Sequence, residues 1–498
     1  MNHVTPNFII NQLKKFKRNK ASGVDNLPSG LLKDCRYHIA EPLSFILNLS
    51  MDTNTYPQNW KIAKVNPIYK KGSPSEPSNY RPISVLPVLS KILEHAVHTQ
   101  LMDYLEKHNL ITPYQFGYRK NQSTNDAATI LVDDIREMVD NGQLVGAVFI
   151  DLSKAFDTLS HDMMLEKLSS YGIQNGELLW FTDYLFCRQQ FVQIDGCCSD
   201  SNQVFAGVPQ GSILGPLLFI LYFNDVLDQL CQCKILMYAD DTVLYYGNKE
   251  AIAIEHVLTN ELKHLSDYFI KNELIINLNK GKTEVMLFGT SKRLSMNRHD
   301  LAIYFGGHRI TNTTSYVYLG HTLDQSLQLN NSFQSAYKKA SSRVKLMMSL
   351  HDHLTPKIVM KIYMSLIVPI LVYMGNLKLD FTVTQKQRLQ SLERRVSTIA
   401  RQQICPIENL VKRHSCKAVK RCLENESCYN LSKYFKLNQH AVNTRNNGYS
   451  VKLPKFRLEF GKKSFKFTCA KWFNELPLGI RKEGGSIFIN KLNHHFNP

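Results

Sequence analysis

Apolar residues recur at helical spacing over residues 90–106, where Ile92, Leu93, Ala96, Val97, Leu101, Tyr104 and Leu105 fall on one face. A second helix is predicted from Thr124, with Ala127, Ile130, Leu131 and Ile135 on its inner side. Short apolar or alternating runs predict strands at 61–71, at Val145–Ile150, at 283–288 and at 316–319. A Pro/Ser-rich loop over residues 72–78 follows the first of these. His161-Asp162 before Met163-Met164-Leu165 predicts a helix start with Asp162 as its cap. The glycine-containing segment 207–211 leads into an apolar helix predicted over 215–228. Within 234–246 two β-prone runs meet at Ala239-Asp240-Asp241-Thr242, which predicts a hairpin with carboxylates at its tip. Beyond residue 331 the period is helical again, through Val344, Leu346, Met347 and Leu350, then Leu389, Leu392, Val396 and Ile399.

Composition narrows the class. With 498 residues, 44% of them hydrophobic, the chain can build a large core of about three units at ~150 residues each. A disordered polymer, a small disulfide scaffold and a collagen-like chain are excluded. The 11 cysteines include no C-x2-C pair and no apolar leader precedes them, so reduced thiols are expected. The longest apolar stretch, residues 362–377, contains Pro369 and Asn376; it is too short and interrupted to predict a membrane span.

The net charge of +18 is unevenly placed. Residues 331–498 hold 30 basic and 9 acidic residues, whereas residues 1–330 are slightly acidic overall. A basic last third implies a polyanion partner, most simply nucleic acid, with an anionic membrane surface as the runner-up.

Two carboxylate positions stand out, each ending an apolar run: Asp151 in VFIDLSKAFD and the pair Asp240-Asp241 in MYADDTVLY. Carboxylates at the mouth of a sheet need a positive partner. Lys154 is the cation nearest Asp151 in sequence, while Asp240 and Asp241 have none adjacent. Converging carboxylates make a hard oxygen site suited to Mg²⁺, and a pair of ions there suits in-line phosphoryl transfer. Aspartates that merely cap turns are the competing reading.

The words around these residues resemble the reverse transcriptase domain of non-LTR retrotransposons, the LINE and jockey-like group. LKKFKRNKASGVDNLPSGLLK (13–33) resembles the block before its fingers, VNPIYKKG (65–72) and NYRPISVLPVLSKILE (79–94) resemble its finger motifs, and QFGYRKNQSTNDA (115–127) follows in the same order. FIDLSKAFD (149–157), GVPQGSILGPLLFILYFND (207–225), YADD (238–241), LNKGKTEVMLFG (278–289) and YVYLGHTLD (316–324) resemble motifs A to E in order. The resemblance implies an α+β right-hand polymerase with an antiparallel palm sheet. Fingers would occupy 1–140, palm 141–328, a helical thumb 330–400 and a basic nucleic-acid-binding region 401–498. It implies RNA-directed DNA synthesis with two Mg²⁺ ions, or Mn²⁺, held by Asp151, Asp240 and Asp241. Lys70 and Arg81 would grip the triphosphate, and Phe156 would exclude a ribose 2′-hydroxyl. Gln210 and Gly211 would meet the nucleotide and template, and Lys282 would protonate pyrophosphate. Asp157 is expected to cap the turn after its strand.

The implied partners are an RNA template, a DNA primer or nicked target DNA, and deoxynucleoside triphosphates, with no membrane. An endonuclease usual to complete elements is not recognised, so it is expected from another chain or a missing upstream region. A catalytically inactive remnant that only binds nucleic acid is one alternative. A group II intron-type maturase is another, although its second motif usually reads differently from GVPQGSILGP. The basic clusters are compatible with a nuclear and cytoplasmic location.

Two tail features remain. Cys405, Cys416, Cys422 and Cys428, with His414, have gaps that fit no standard zinc pattern, so ordinary thiols are the expected reading. LPKFRLEFGKKSFKF (453–467) interleaves cations with Phe456, Phe460, Phe465 and Phe467; stacking on bases and packing on the body are both open.

Overall fold

A computed structural model describes residues 1–297, 300–424, 429–438 and 449–496. The chain forms two compact units, each drawn from several stretches. One comprises Met1–Tyr118, Leu152–Leu230 and His264–Asn277; the other comprises Arg119–Asp151, Cys231–Lys263 and Leu278–Pro498. Helix and sheet are mixed throughout, as an α+β protein requires.

In the second unit the central strand is Leu144–Ile150, with all seven residues buried. It pairs antiparallel with Asp241–Asn248 on one side and with Glu284–Phe288 on the other. Lys234–Tyr238 closes a hairpin onto Asp241–Asn248, and the short strand Thr311–Asn312 adds in parallel at the opposite edge. Such a run, apolar at every position, fits a strand covered on both faces. One cover is the helix Thr124–Asp140, capped by Ser123, whose hydroxyl accepts from Asp126 N. Ala127, Ile130, Leu131 and Ile135 are buried as their spacing requires. A hairpin, Ser315–Tyr318 with His321–Asp324, follows the sheet.

After residue 329 the unit is helical, with helices at Asn330–Ser349, Pro356–Ile362, Val368–Gly375, Val383–Ala400 and Ile407–Leu423. Pro369 lacks an amide donor, and the helix widens into a π turn, Tyr363–Ile367, just before it. The run Pro356–Gly375 is long and apolar enough to cross a membrane by length and composition alone. In the fold its Val359, Tyr363, Ile367, Leu371 and Met374 are buried. Leu346 and Leu350 depart from the periodic reading: both are exposed, Leu346 on the outer side of its helix and Leu350 at the cap that ends it.

The first unit is built on a sheet in which Ile62–Tyr69 pairs antiparallel with Tyr80–Val85 and parallel with Arg188–Ile194. Its core holds Tyr56, Trp180 and Tyr184; the Trp180 and Tyr184 rings stack at 5.6 Å. Arg188 is buried against this cluster, 5.0 Å from the Tyr184 ring, and donates to the Tyr184 carbonyl (3.0 Å). Two sequence expectations shift here. The helix His161–Ser170 has Ser160 at its cap, so Asp162 lies inside the first turn, where a carboxylate still favours the helix dipole. The apolar helix is Leu214–Tyr222, and a tighter 3-10 turn, Asn224–Gln229, replaces its expected continuation.

Candidate active site

The hairpin of the second unit brings acidic residues to one sheet end. Tyr238 pairs with Asp241, leaving Ala239-Asp240 as a two-residue turn. Ala239 takes a φ of 56°, the left-handed conformation that such a turn demands at its first position. Ile150 pairs with Thr242, so the next step of the register sets Asp151 opposite Asp241. Residues alternate across a sheet, which puts Asp151 on the face of Phe149. Glu284 pairs directly opposite Phe149 and shares that face. Three carboxylates thus border one patch, with Asp240 at the turn beside it.

Tyr316 closes the patch. Its ring stacks on Phe149 at 4.1 Å, and its hydroxyl donates to the Lys282 carbonyl (2.9 Å). Burial, then the charges of Asp241, Asp151 and Glu284, push its phenol well above the usual range. Asp151 is paired with Lys282, 131 residues away, whose Nζ donates to both carboxylate oxygens at 3.1 Å. The Asp151 amide donates to Thr283 Oγ1 (3.2 Å), so the loop before Glu284–Phe288 fixes this end of the strand twice. Lys154, the sequence neighbour, instead lies exposed on a turn with φ 51°.

The donor chemistry of Asp151, Asp240 and Asp241 suits a hard divalent ion, since every side-chain donor is a carboxylate oxygen. Among the described residues no three His, Cys, Asp or Glu side chains converge into a finished metal cage. Lys282 supplies the positive charge at Asp151 in this state. Glu284 escaped the sequence reading; the signal was its place at the head of a strand ending the 278–289 block.

The remaining site residues lie in the first unit. Lys70 follows Ile62–Tyr69 and its amide donates to the Asn79 carbonyl (2.9 Å); Arg81 pairs opposite Ile68. Alternation puts Lys70 and Arg81 diagonally on one face of that hairpin, both exposed. Phe156 is half-buried, 4.8 Å from the Phe219 ring and edge-on to Tyr118 at 6.3 Å. Gln210 Nε2 donates to Asp157 Oδ1 (2.8 Å), so the Asp157 carboxylate holds the loop amide where a turn cap was expected. The Gln210 carbonyl accepts from Ser84 N (2.9 Å). Gly211 has φ 145°, and a Cβ there would collide with the Ser84 carbonyl. The glycine is thus required by backbone packing inside the protein. Beyond the loop, Glu94 is fully buried and accepts from Ile213 N (2.6 Å) and Leu214 N (3.3 Å), capping the helix Leu214–Tyr222. Of these residues Asp157 and Gln210 line a cleft of about 260 Å³, together with Pro82, Ser84 and Lys154.

The tail is docked rather than open. Asp133 accepts from Phe465 N (2.7 Å) and Lys466 N (2.9 Å), at the start of the helix Phe465–Glu475. Asp140 accepts from Arg457 N (2.8 Å) and Leu458 N (2.7 Å) in the same way. Burial pushes the Asp133 carboxyl up to about 6. Phe465 is buried against Phe435 (6.0 Å), and Phe456 meets Phe467 edge-on (6.1 Å). Phe465 is thus a packing residue, while Phe456 and Phe467 stay partly exposed. Cys416 and Cys422 are buried free thiols, Cys405 is a half-buried one, and Cys428 lies outside the described residues.

A family model described as "Reverse transcriptase (RNA-dependent DNA polymerase)" matches residues 68–323. The chain is 28% identical over 386 residues to a probable RNA-directed DNA polymerase from transposon BS of Drosophila melanogaster, covering 73% of this chain and 41% of that one. It is 27% identical over 383 residues to the RNA-directed DNA polymerase from mobile element jockey of the same species, covering 74% and 41%. A Pol polyprotein from the type-1 retrotransposable element R1 of Bradysia coprophila is 27% identical over 317 residues, covering 63% and 30%. The chain spans about two fifths of the length of the first two.

Proposed function

Because the chain belongs to the reverse transcriptase (RNA-dependent DNA polymerase) family, we propose that it extends a primer 3′-hydroxyl with deoxynucleotides on an RNA template, as part of a non-LTR retrotransposon. The observation that carries this reading is the register that sets Asp151 beside the Asp240-Asp241 turn. In the reaction the primer 3′-oxygen bonds to the α-phosphorus of the incoming triphosphate, and the α–β phosphoanhydride bond breaks to release pyrophosphate.

Asp151, Asp240 and Asp241 would hold two Mg²⁺ ions, or Mn²⁺. Bound there, such ions activate the 3′-hydroxyl and neutralise charge on the triphosphate. Lys282 moves from Asp151 toward the leaving group and delivers a proton from Nζ to the departing oxygen. Lys70 and Arg81, on one hairpin face, bind the β- and γ-phosphates; the planar Arg81 fork bridges two oxygens. Phe156, braced by Phe219, stands against the sugar and rejects a 2′-hydroxyl. Gln210, aimed by Asp157, and Gly211 shape the surface under the nucleotide and template. In hand terms, we assign fingers to 1–140, palm to 141–328, thumb to 330–400 and a nucleic-acid-binding region to 401–498.

Primer extension on poly(rA)/oligo(dT) with Mg²⁺ tests the reading. The wild-type chain should synthesise DNA, and Asp240→Ala should lose at least about a hundredfold of that rate, the scale of a missing transition-state charge contact. RNA binding should survive in the variant. No synthesis by folded wild-type protein, or full synthesis by Asp240→Ala, would overturn it.

A further inference from the structure

Phe156 stands in a row of rings in the first unit. Behind it lies Phe219, fully buried, at 4.8 Å; Phe223 stacks on Phe219 at 6.2 Å and Phe269 on Phe223 at 6.0 Å. In front of it stands Tyr118, edge-on at 6.3 Å with the ring planes 88° apart. The row thus runs from the core to the surface, where Tyr118 is 51% exposed. A perpendicular pair at this distance is attractive in its own right, because the positive edge of one ring meets the negative face of the other.

Hydrogen bonds fix the backbone of Phe156 and leave its ring to be placed. The Phe156 carbonyl accepts from Val208 N (2.8 Å), in the loop that carries Gln210, and the next amide, that of Asp157, donates to the Lys154 carbonyl (2.7 Å). Rotation about the side-chain bonds remains, among a few staggered positions. Phe219 blocks the inward side, and the outward side is met by Tyr118.

Tyr118 is itself held against its own preference. Its φ is 56°, in the left-handed region that bulky side chains avoid and that the surroundings must impose. They do so through the segment before it. Gln115 and Phe116 are buried, and Gln115 Oε1 accepts from Gly117 N (2.8 Å). Further back, Thr112 N donates to Asn224 Oδ1 (2.9 Å) and Asn224 Nδ2 donates to the Leu110 carbonyl (2.8 Å). Asn224 begins the 3-10 turn that follows the helix Leu214–Tyr222, and that helix carries Phe219. One stretch of chain therefore fixes both sides of the Phe156 ring, the inner side through Phe219 and the outer side through the segment 110–118.

We propose that Tyr118 is the outer stop of the Phe156 gate, a positioning residue that keeps the Phe156 ring where the 2′-hydroxyl of an incoming ribonucleoside triphosphate would clash with it. Discrimination between deoxy- and ribonucleotides then belongs to the ring pair: Phe156 touches the sugar, and Tyr118 acts through Phe156. The inference rests on the polymerase reading above.

The test is selectivity, kcat/KM for dATP over kcat/KM for ATP on poly(rU)/oligo(dA), two substrates that differ only at the 2′-position. Tyr118→Asn removes the ring and keeps a residue that tolerates left-handed φ. It should lower the ratio about fivefold, the worth of an edge-to-face pair, through a gain for ATP. Tyr118→Phe keeps the ring edge and should keep the ratio. Phe156→Val should lower it about a hundredfold, the rejection an apolar wall achieves against an added hydroxyl. Adding Tyr118→Asn to Phe156→Val should change nothing further, since the stop then has no ring to hold. A Tyr118 that only supported the fold would slow both nucleotides alike and leave the ratio where it was. An unchanged ratio in Tyr118→Asn therefore overturns the proposal, as does a loss in Tyr118→Phe equal to that in Tyr118→Asn. Additive losses in the double variant overturn it too, because they would put Tyr118 on the nucleotide itself. Should Tyr118→Asn melt lower than wild type, Tyr118→Gly removes ring and strain together and carries the same expectation. A folded wild-type chain that adds neither nucleotide sinks the polymerase reading and the stop with it. One that adds dATP with a ratio indifferent to Tyr118 sinks the stop alone.

Discussion

At the hairpin of the central sheet, Asp151, Asp241 and Glu284 share one face, and the Lys282 ammonium is bonded to Asp151. In the C-terminal region the balance is reversed, and acidic side chains from distant segments meet the cations and the helix starts. Asp133 and Asp140 each accept two tail amides, and Glu137 takes Lys466. The acidic patch gathers carboxylate oxygens at one sheet end, a donor set that suits cations. The basic region keeps its excess of cations, 30 against 9 acidic residues over 331–498, while the fold brings Glu137 to Lys466 and Asp380 to Lys463. Charge density along a chain therefore says little about which charges meet a ligand; partners brought by the fold decide that.

The most severe way to break this contrast is Asp151→Asn. It should lower primer extension by roughly a hundredfold to a thousandfold, with little change in melting temperature, because a half-exposed ion pair is worth at most about 1 kcal/mol. A large fall in melting temperature would instead make Asp151 a structural residue. Next comes Glu94→Ala, which strands two amides and the buried Arg188 guanidinium in the first unit; a loss of about 3 kcal/mol is expected in urea unfolding. Indifference to that change would show that the loop before Leu214 is held by something else.

A smaller effect belongs to the hairpin turn. Ala239→Val forces a β-branched side chain into positive φ and should cost about 1–2 kcal/mol, whereas Ala239→Gly should be neutral or slightly stabilising. Equal melting curves for the two would contradict the turn geometry.

The smallest concerns Asp133. Its folded pKa, raised to about 6 by burial, lies above the unfolded carboxyl value. Its contribution is therefore complete below about pH 4 and is lost as pH rises through about 6. Tail docking, read by hydrogen exchange over 465–475, should strengthen between pH 7 and 5 by on the order of 1 kcal/mol. Asp133→Asn should flatten that dependence, and an unaltered slope would remove Asp133 from the account.

Much of this architecture was legible in the sequence because its signals are local. The period of residues 90–106, the fully apolar 145–150 and the two runs around Ala239-Asp240 each specify an element within a few residues. The carboxylate motif was legible for the same reason. What escaped was decided at long range. Lys282 rather than Lys154 meets Asp151, and nothing in spacing could choose between them. Asp133 and Asp140 look like the solvated face of a helix until amides more than 300 residues away bond to them. Phe456, Phe465 and Phe467 read equally as base platforms or core; tertiary packing buries Phe465 and leaves Phe456 and Phe467 half-exposed against each other. Gly211 reads as room for a ligand, and the close Ser84 carbonyl adds a second reason for a glycine there that spacing does not show.

The central claim is that Asp151 and the Asp240-Asp241 turn together hold the divalent ions of polymerisation. Loading the protein with Fe²⁺ in place of Mg²⁺ and adding ascorbate generates radicals that cut the backbone beside the bound ion. Two cuts are expected, one close to residue 151 and one close to residue 240, and Asp240→Ala should abolish both. Cleavage confined to other segments, or cuts at these positions that persist in Asp240→Ala, would contradict the account.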